Sequence, residues 1–201
     1  MGESLEMFVK DIFCNSLGEN DLKKKKQIYE EYFSYTGNQN NPPDIMIKLG
    51  DAIEVKKIES NGNTVALNSS YPKNKLFSNS PMITKACRDC EKWTQKDMLY
   101  VIGNLREDQI KSLWFIYGDC FAADKEIYER IKNRISIGLE DLSGVELSQT
   151  NEIGRINKVD PLGITNLRIR GMWQIDHPSK IFGYLSSGVN DESEFNLNVL
   201  I

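Results

Sequence analysis

Two runs, "DMLYVIG" at 97–103 and "SLWFIYG" at 112–118, constrain the fold of this chain more than any other feature. Each is a short block of apolar, aromatic and β-branched residues, so each reads as a strand covered on both sides. Both should lie centrally in a sheet, with other elements packed above and below it.

Helical periodicity supplies those layers. In "SLEMFVKDIFCNSLG", Ser4 stands where a cap belongs, and Leu5, Phe8, Val9, Ile12 and Phe13 fall on one stripe that closes at Gly18. "DLKKKKQIYEEYFSYTG" has Asp21 as cap and a weaker face from Ile28, Tyr32 and Phe33, and its aromatics favour a passage into strand. Lys23 to Lys26 reads as a solvated helix face. Ser80, followed by Pro81, reads as the start of a third helix, along which Ile83, Ala86, Cys87, Cys90 and Trp93 recur at helical spacing. "ADKEIYERIKNRISIG" makes a fourth, capped by Asp124, with Ile127, Tyr128, Ile131 and Ile135 on one face and an end near Gly138.

Between these, "NQNNPP" and "NSSYPKNKLFSN" are loops by composition. "GITNLRIRGMWQIDHP" alternates Leu167, Ile169 and Trp173 against Arg168 and Arg170, as a strand with one wet face does. The sum is α/β or α+β: helices around a partly antiparallel sheet, in one domain spanning 1–201 whose polar stretch from 186 is loosely held.

Composition excludes several classes. No run in the 201 residues approaches the roughly 18 apolar residues of a membrane span, and the N-terminus carries no export pattern, so the cytoplasm is the expected location. Cys14, Cys87, Cys90 and Cys120 are scattered, which in that setting means reduced thiols. The pair in "ACRDCE" lacks further ligands nearby for a zinc site, since the one histidine is His177, and is expected in the core. A formal charge of −4 argues against indiscriminate nucleic-acid binding but leaves room for a local basic cleft.

The chemistry concentrates in "PPDIMIKLGDAIEVKKIES" at 42–60, two apolar strands around Gly50-Asp51 that carry charge into a buried setting. Residues two apart in a strand point the same way, so Glu54 and Lys56 share a face roughly 6.5 to 7 Å apart. Asp44 depends on the turn. A two-residue turn at Gly50-Asp51 pairs Asp44 with Lys57, on the wrong face. A three-residue turn, Leu49 to Asp51, pairs Asp44 with Lys56 and Met46 with Glu54, and all three charges converge. Two carboxylates so placed can hold Mg²⁺, which polarises a phosphate and helps make hydroxide, while the lysine orients water or offsets developing charge. A surface hairpin with cross-strand ion pairs is the other reading.

Pro43-Asp44, nine residues, then Glu54-Val55-Lys56 resembles the PD-(D/E)XK nuclease signature. More specifically, "DAIEVKKIES" followed by "ALNSSYPKNKL" resembles type II restriction endonucleases of the NgoPII kind. The likeness covers Asp44 to Leu76 well and the rest in outline, with "FAADKEIYERI" as a post-strand helix. It implies a restriction-endonuclease-like core, a central mixed sheet with a catalytic hairpin flanked by helices. It also implies Mg²⁺-dependent cleavage of double-stranded DNA at a short palindrome by a homodimer, as part of a restriction-modification system, without an organic cofactor or a membrane. Such enzymes are associated with GGCC; the target of this chain stays open, because recognition residues vary among relatives.

Carried onto this sequence, the resemblance makes Asp44 and Glu54 metal ligands, with Val55 beside them in the metal site, and Lys56 the catalytic lysine. Superfamily members often add an acid from the first helix, for which Glu6 is the candidate. Lys57, Asn68, Ser69, Ser70, Tyr71, Lys73 and Asn74 carry groups suited to phosphates or base edges, and Arg168 and Arg170 can reach guanines. Two other readings remain: a structure-specific or repair nuclease on the same core, and a catalytically inactive DNA- or protein-binding domain.

Overall fold

The computed structural model describes residues 2–38, 41–59, 64–106, 109–140, 145–146, 153–157 and 159–186. Helices α1 (Gly2–Cys14) and α2 (Leu22–Tyr32) come first, and α2 runs straight into strand β1 (Phe33–Asn38). Strands β2 (Asn41–Ile47) and β3 (Ala52–Ile58) form the charged hairpin, followed by β4 (Val65–Asn68), β5 (Lys75–Phe77) and the short helix α3 (Lys85–Asp89). Two long strands, β6 (Gln95–Arg106) and β7 (Gln109–Tyr117), precede helix α4 (Lys125–Glu140). Strands β8 (Val145–Glu146), β9 (Gly154–Ile156), β10 (Leu167–Ile169) and β11 (Trp173–Ile175) and helix α5 (Pro178–Ile181) follow. Past Ser186, the stretch expected to be loosely held lies outside the described residues. Among the described residues, no helix is long and apolar enough to cross a membrane.

The architecture is mixed α/β, a central mixed sheet flanked by helices. Its order is β1-β2-β3-β6-β5, with β7 also pairing β6. β3 runs parallel to β6 from Ala52↔Met98 to Ile58↔Asn104, while the β1–β2, β2–β3, β5–β6 and β6–β7 pairs are antiparallel. β6 is the covered central strand that its sequence predicts, with Met98, Leu99, Tyr100, Val101 and Ile102 all buried. β7 is not. Among the described residues it pairs only with β6, and Phe115 and Tyr117 are 46% and 45% exposed, with the Phe13 ring of α1 meeting Phe115 edge-on at 6.3 Å.

Strand alternation divides the core in two. Ile45, Ile53, Leu99 and Val101 pack with Leu5 and Val9 of α1, while Met46, Ala52, Ile58, Met98, Tyr100 and Ile102 pack with Leu67, Leu76, Ile83 and Cys87 on the other face.

Several local expectations shift. Asp21 caps α2 as its position predicts, accepting from the Lys23 N–H at 2.8 Å. α1 begins ahead of Ser4 and ends at Cys14 rather than Gly18. Asn15 adopts a left-handed φ of 53°, with its N–H on Ile12 O and the Ser16 N–H on Asp11 O at 2.9 Å, a Schellman closure that asparagine tolerates. The Asp11 carboxylate accepts from Ser16 Oγ at 2.7 Å, Lys25 Nζ at 2.7 Å and Tyr29 Oη at 2.6 Å, tying α1 to α2. Lys25, with its side chain 12% exposed, is therefore not part of a solvated face.

α3 starts at Thr84, whose Oγ1 accepts from the Cys87 N–H, and not at Ser80; Ser80 caps a turn through the Met82 N–H at 3.2 Å, because the chain is still turning there. Cys87 is buried and Cys90 half-buried, but Cys120 is exposed. β2 starts at Asn41, so Pro42 and Pro43, joined by a cis peptide, lie in strand rather than loop, where proline is tolerated at a strand start. α4 continues through Gly138, with Ile127, Ile131 and Ile135 still 40–47% exposed. The single strand expected around Arg168 breaks at Gly171: β10 joins β9 and β8 in a small sheet, while β11 pairs with β4.

The hairpin turn takes neither anticipated register. Ile45 pairs with Ile53 and Met46 with Ala52, the Ile47 N–H reaches Asp51 O at 3.0 Å, and Lys48, Leu49 and Gly50 form the bend, with Leu49 at φ 58°. A buried lysine grips this bend. Lys96 Nζ donates to Gly50 O at 2.5 Å and Ile47 O at 3.2 Å and lies 2.5 Å from Glu91 Oε1, while Glu91 Oε2 accepts from the Leu49 N–H at 3.1 Å. The Lys96 and Glu91 side chains are 4% and 13% exposed, so removing one partner strands the other away from water. Lys96→Met is expected to lower stability by about 3 kcal/mol in urea denaturation. Adding Glu91→Gln should then cost less than that substitution does alone.

Candidate active site

β2 and β3 deliver three charges to one face of the sheet. Continuing the pairing of Ile45 with Ile53 sets Asp44 opposite Glu54, on the face of Met46 and Ala52, and strand alternation adds Lys56 beyond Glu54. The next ladder rung would pair Pro43 with Val55. Pro43 has no N–H for Val55 O, so that rung cannot close fully, and the Val55 N–H donates to Asp44 Oδ2 at 2.7 Å, which fixes that carboxylate against β3. Gly37 of β1 permits this approach: a Cβ there would collide with Pro43 O and lie 3.2 Å from Asp44 Cα.

Glu54 Oε1 lies 2.6 Å from Lys56 Nζ, with the two side chains 15% and 22% exposed. Glu54 Oε2 is buried and has no hydrogen-bond partner. Burial, then the charge of Glu54, pushes Asp44 up to about 7, with a smaller push from Glu6; Lys56 and the Val55 N–H act the other way. Burial works against the charge of Lys56, but Glu54 and Asp44 outweigh it and hold its pKa above the usual lysine value. At neutral pH Lys56 is therefore a cation and a donor, not a base.

This pair of acids suits a divalent cation. Mg²⁺ typically takes one or two carboxylates and fills its remaining positions with water and phosphate oxygens. The unpartnered Glu54 Oε2 offers a hard oxygen, and a cation would relieve the like-charge repulsion that raises Asp44. Among the described residues there is no group of three or more His, Cys, Asp or Glu arranged to hold a metal, the cysteine pair included.

The remaining candidates divide. Glu6, on α1, is bonded to Lys10 at 2.6 Å and reaches Asp44 only through its charge. Lys57 leaves β3 on the opposite face from Lys56 and lies 2.8 Å from Glu59. Asn68 ends β4 opposite Trp173. Ser69 and Ser70 follow in the turn, and Ser70 Oγ accepts from Lys73. Tyr71 stacks on Tyr128 at 5.0 Å and turns its edge to Trp173, while Asn74 holds the Lys75 N–H and contacts Asp124. Tyr71 and Lys73 thus point inward, where a polar loop suggested outward groups. Arg168 and Arg170 are exposed near the small β8–β9–β10 sheet, apart from the hairpin.

Sequence reasoning missed Tyr100 and Lys96. Tyr100 stands beside Glu54 in the β3–β6 register, and its hydroxyl accepts from the Lys73 N–H at 2.8 Å. The available signal was a hydroxyl-bearing ring, and a lysine just ahead, in an otherwise apolar run.

The full chain, residues 1–201, matches the family described as NgoPII restriction endonuclease. The chain belongs to that family. The type II restriction enzyme NgoPII of Neisseria gonorrhoeae is 45% identical to it over 201 residues, which is 100% of this chain and 72% of that enzyme. No solved structure matches. Membership of the NgoPII family identifies the activity as restriction endonuclease, a hydrolase acting on DNA.

The raised Asp44 carries a testable linkage. Between its ordinary value of 3.8 and about 7 the folded protein holds a proton that the unfolded chain releases, so this group's contribution to stability falls as pH rises through that window. Asp44→Asn removes the charge and keeps an oxygen for the Val55 N–H. Without divalent cations, its melting temperature should exceed that of the parent by a few degrees at pH 8, and the gap should close toward pH 4, by differential scanning calorimetry.

Proposed function

We propose that this chain is a type II restriction endonuclease that hydrolyses phosphodiester bonds of double-stranded DNA at a short palindromic sequence, with Mg²⁺, within a restriction-modification system. The observation that carries the reading is the meeting of Asp44, Glu54 and Lys56 on one buried sheet face, with Glu54 Oε2 unpartnered, in a chain of the NgoPII family.

Asp44 and Glu54 hold the cation, with Val55 between the two anchored groups. Bound there, Mg²⁺ supplies Lewis acidity toward a phosphate oxygen and lowers the pKa of water. Asp44 is kept in place by the Val55 N–H, so its carboxylate does not reorganise when substrate arrives. Lys56, charged and tied to Glu54 Oε1, presents an ammonium that orients the attacking water and offsets charge developing on the phosphate. Apolar neighbours on the same face, Ala52 and Ile58, keep bulk water from screening these charges. Glu6 modulates the site through its charge alone. Asn68, Ser69 and Asn74 are proposed as DNA contacts, Lys57 as a phosphate contact from the other face of β3, and Arg168 and Arg170 as candidates for base edges.

A palindrome presents two equivalent scissile phosphates related by a twofold axis, and each chain carries one site, so a homodimer is the economical arrangement. The formal charge of −4 limits sequence-independent attraction to DNA and leaves discrimination to local contacts.

Digestion of a sequenced plasmid with Mg²⁺, followed by mapping of the ends, tests the reading. Discrete bands with ends at one palindrome are expected, and Asp44→Ala or Lys56→Ala should lower cleavage by about a hundredfold or more while leaving the fold intact. A smear at every protein concentration refutes sequence specificity, and a gel shift without any cutting favours an inactive binding domain.

A further inference from the structure

Lys73 is a charged group that the Asp44–Glu54–Lys56 pattern does not use. A polar loop suggests that it reaches out to a phosphate, but its side chain turns inward. Nζ donates to Ser70 Oγ and to Tyr71 O at 3.2 Å and lies 5.0 Å from the centroid of the Tyr71 ring. Its backbone N–H donates to Tyr100 Oη at 2.8 Å. Among the described residues Lys73 has no salt bridge, and Glu54 acts on it through charge alone, although a buried ammonium is stable only with compensating charge or hydrogen bonds nearby.

The compensating charge faces it across a small cavity. Glu54, Ser70, Lys73 and Tyr100 line this space together with apolar walls from Leu67 and Met98, and its volume of ≈ 10 Å³ is at the lower limit of what admits a single water. Glu54 Oε2 is an acceptor without a donor. Lys73 has committed two of its three N–H groups, and the Tyr100 hydroxyl accepts from Lys73 N, which leaves its own proton to donate. One acceptor and two donors around a one-water space match what a buried water requires.

We propose that Lys73 is a positioning residue of the cleavage site, holding Glu54 Oε2 in place through a single buried water that it shares with Tyr100. The inference rests on the reading of Glu54 as part of that site. Burial and the nearby Lys56 bring Lys73 down to about 8, with Glu54 opposing, as fits an ammonium without a direct counter-ion. One lone pair of Oε2 takes the water, and the other stays open to a cation. Glu54 is then held from two sides, by Lys56 on Oε1 and by Lys73 through water on Oε2, so its carboxylate plane is set before DNA binds.

A high-resolution crystal structure of the full chain is the first test. One water within hydrogen-bond reach of both Glu54 Oε2 and Lys73 Nζ supports the proposal, whereas a dry cavity or a direct Lys73–Glu54 contact overturns it. Kinetics of Lys73→Met and Lys73→Gln are the second. A positioning role lowers the single-turnover cleavage rate about tenfold or more, with DNA affinity and its salt dependence unchanged. Weaker binding with a salt slope smaller by about one phosphate contact would make Lys73 a DNA contact and overturn the proposal. Unchanged cleavage would overturn it as well. Absence of cleavage by the unaltered protein instead overturns the nuclease reading, and the crystallographic test of the water stands apart from that outcome.

Discussion

The grip of Lys96 and Glu91 on the bend at Lys48–Gly50 is the constraint from which the site follows. Three backbone groups of the turn are bound by one buried ion pair, so the hairpin cannot slide without breaking hydrogen bonds that water does not replace. Because side chains alternate along a strand, a slip by one residue would send Asp44 to the α1 face and leave Glu54 without its neighbour. The ion pair comes from the bend after α3 and the start of β6, and not from the hairpin itself. The sheet's own scaffold therefore decides where the charges meet.

Once the register is set, the site holds a tension that the rest of the fold sustains. Two carboxylates face each other among Met46, Ala52 and Met98, and burial with mutual repulsion raises Asp44 to about 7. Lys56 answers part of that charge directly, and Lys73 stands behind Glu54 across a one-water space. A surface hairpin has no reason to arrange this, since exposed ion pairs contribute little and need no apolar surroundings. Strain of this kind is characteristic of groups kept in position for chemistry, and it agrees with membership of a restriction endonuclease family.

Legibility from the sequence tracked the range of the interaction. Alternation in "IEVKKI" put Glu54 and Lys56 on one face, and Asp21 declared the start of α2, because both effects act over two or three residues. Errors arose where a distant partner decided the outcome. Asn15 closed α1 ahead of Gly18, Thr84 displaced Ser80 as a cap, and β7, paired with β6, left Phe115 and Tyr117 partly exposed, with Phe13 of α1 meeting Phe115 only edge-on. Lys25 left its expected solvated face for Asp11, fourteen positions back in the chain. Tyr71 and Lys73 turned inward because Tyr128, Trp173 and Tyr100 offered ring faces and a hydroxyl that the loop's own composition does not disclose.

By itself, the sequence determined that a charged hairpin accompanies a covered strand, β6, and which acids and lysine it carries, because strand periodicity is a local property of the backbone. It left the turn open between two registers, and the protein adopted a third, with Lys48–Gly50 as the bend and Met46 across from Ala52. Only the tertiary structure decided that, since the energy selecting the register lies in Lys96, 46 residues from Gly50 along the chain, and becomes available only when β6 packs beside β3.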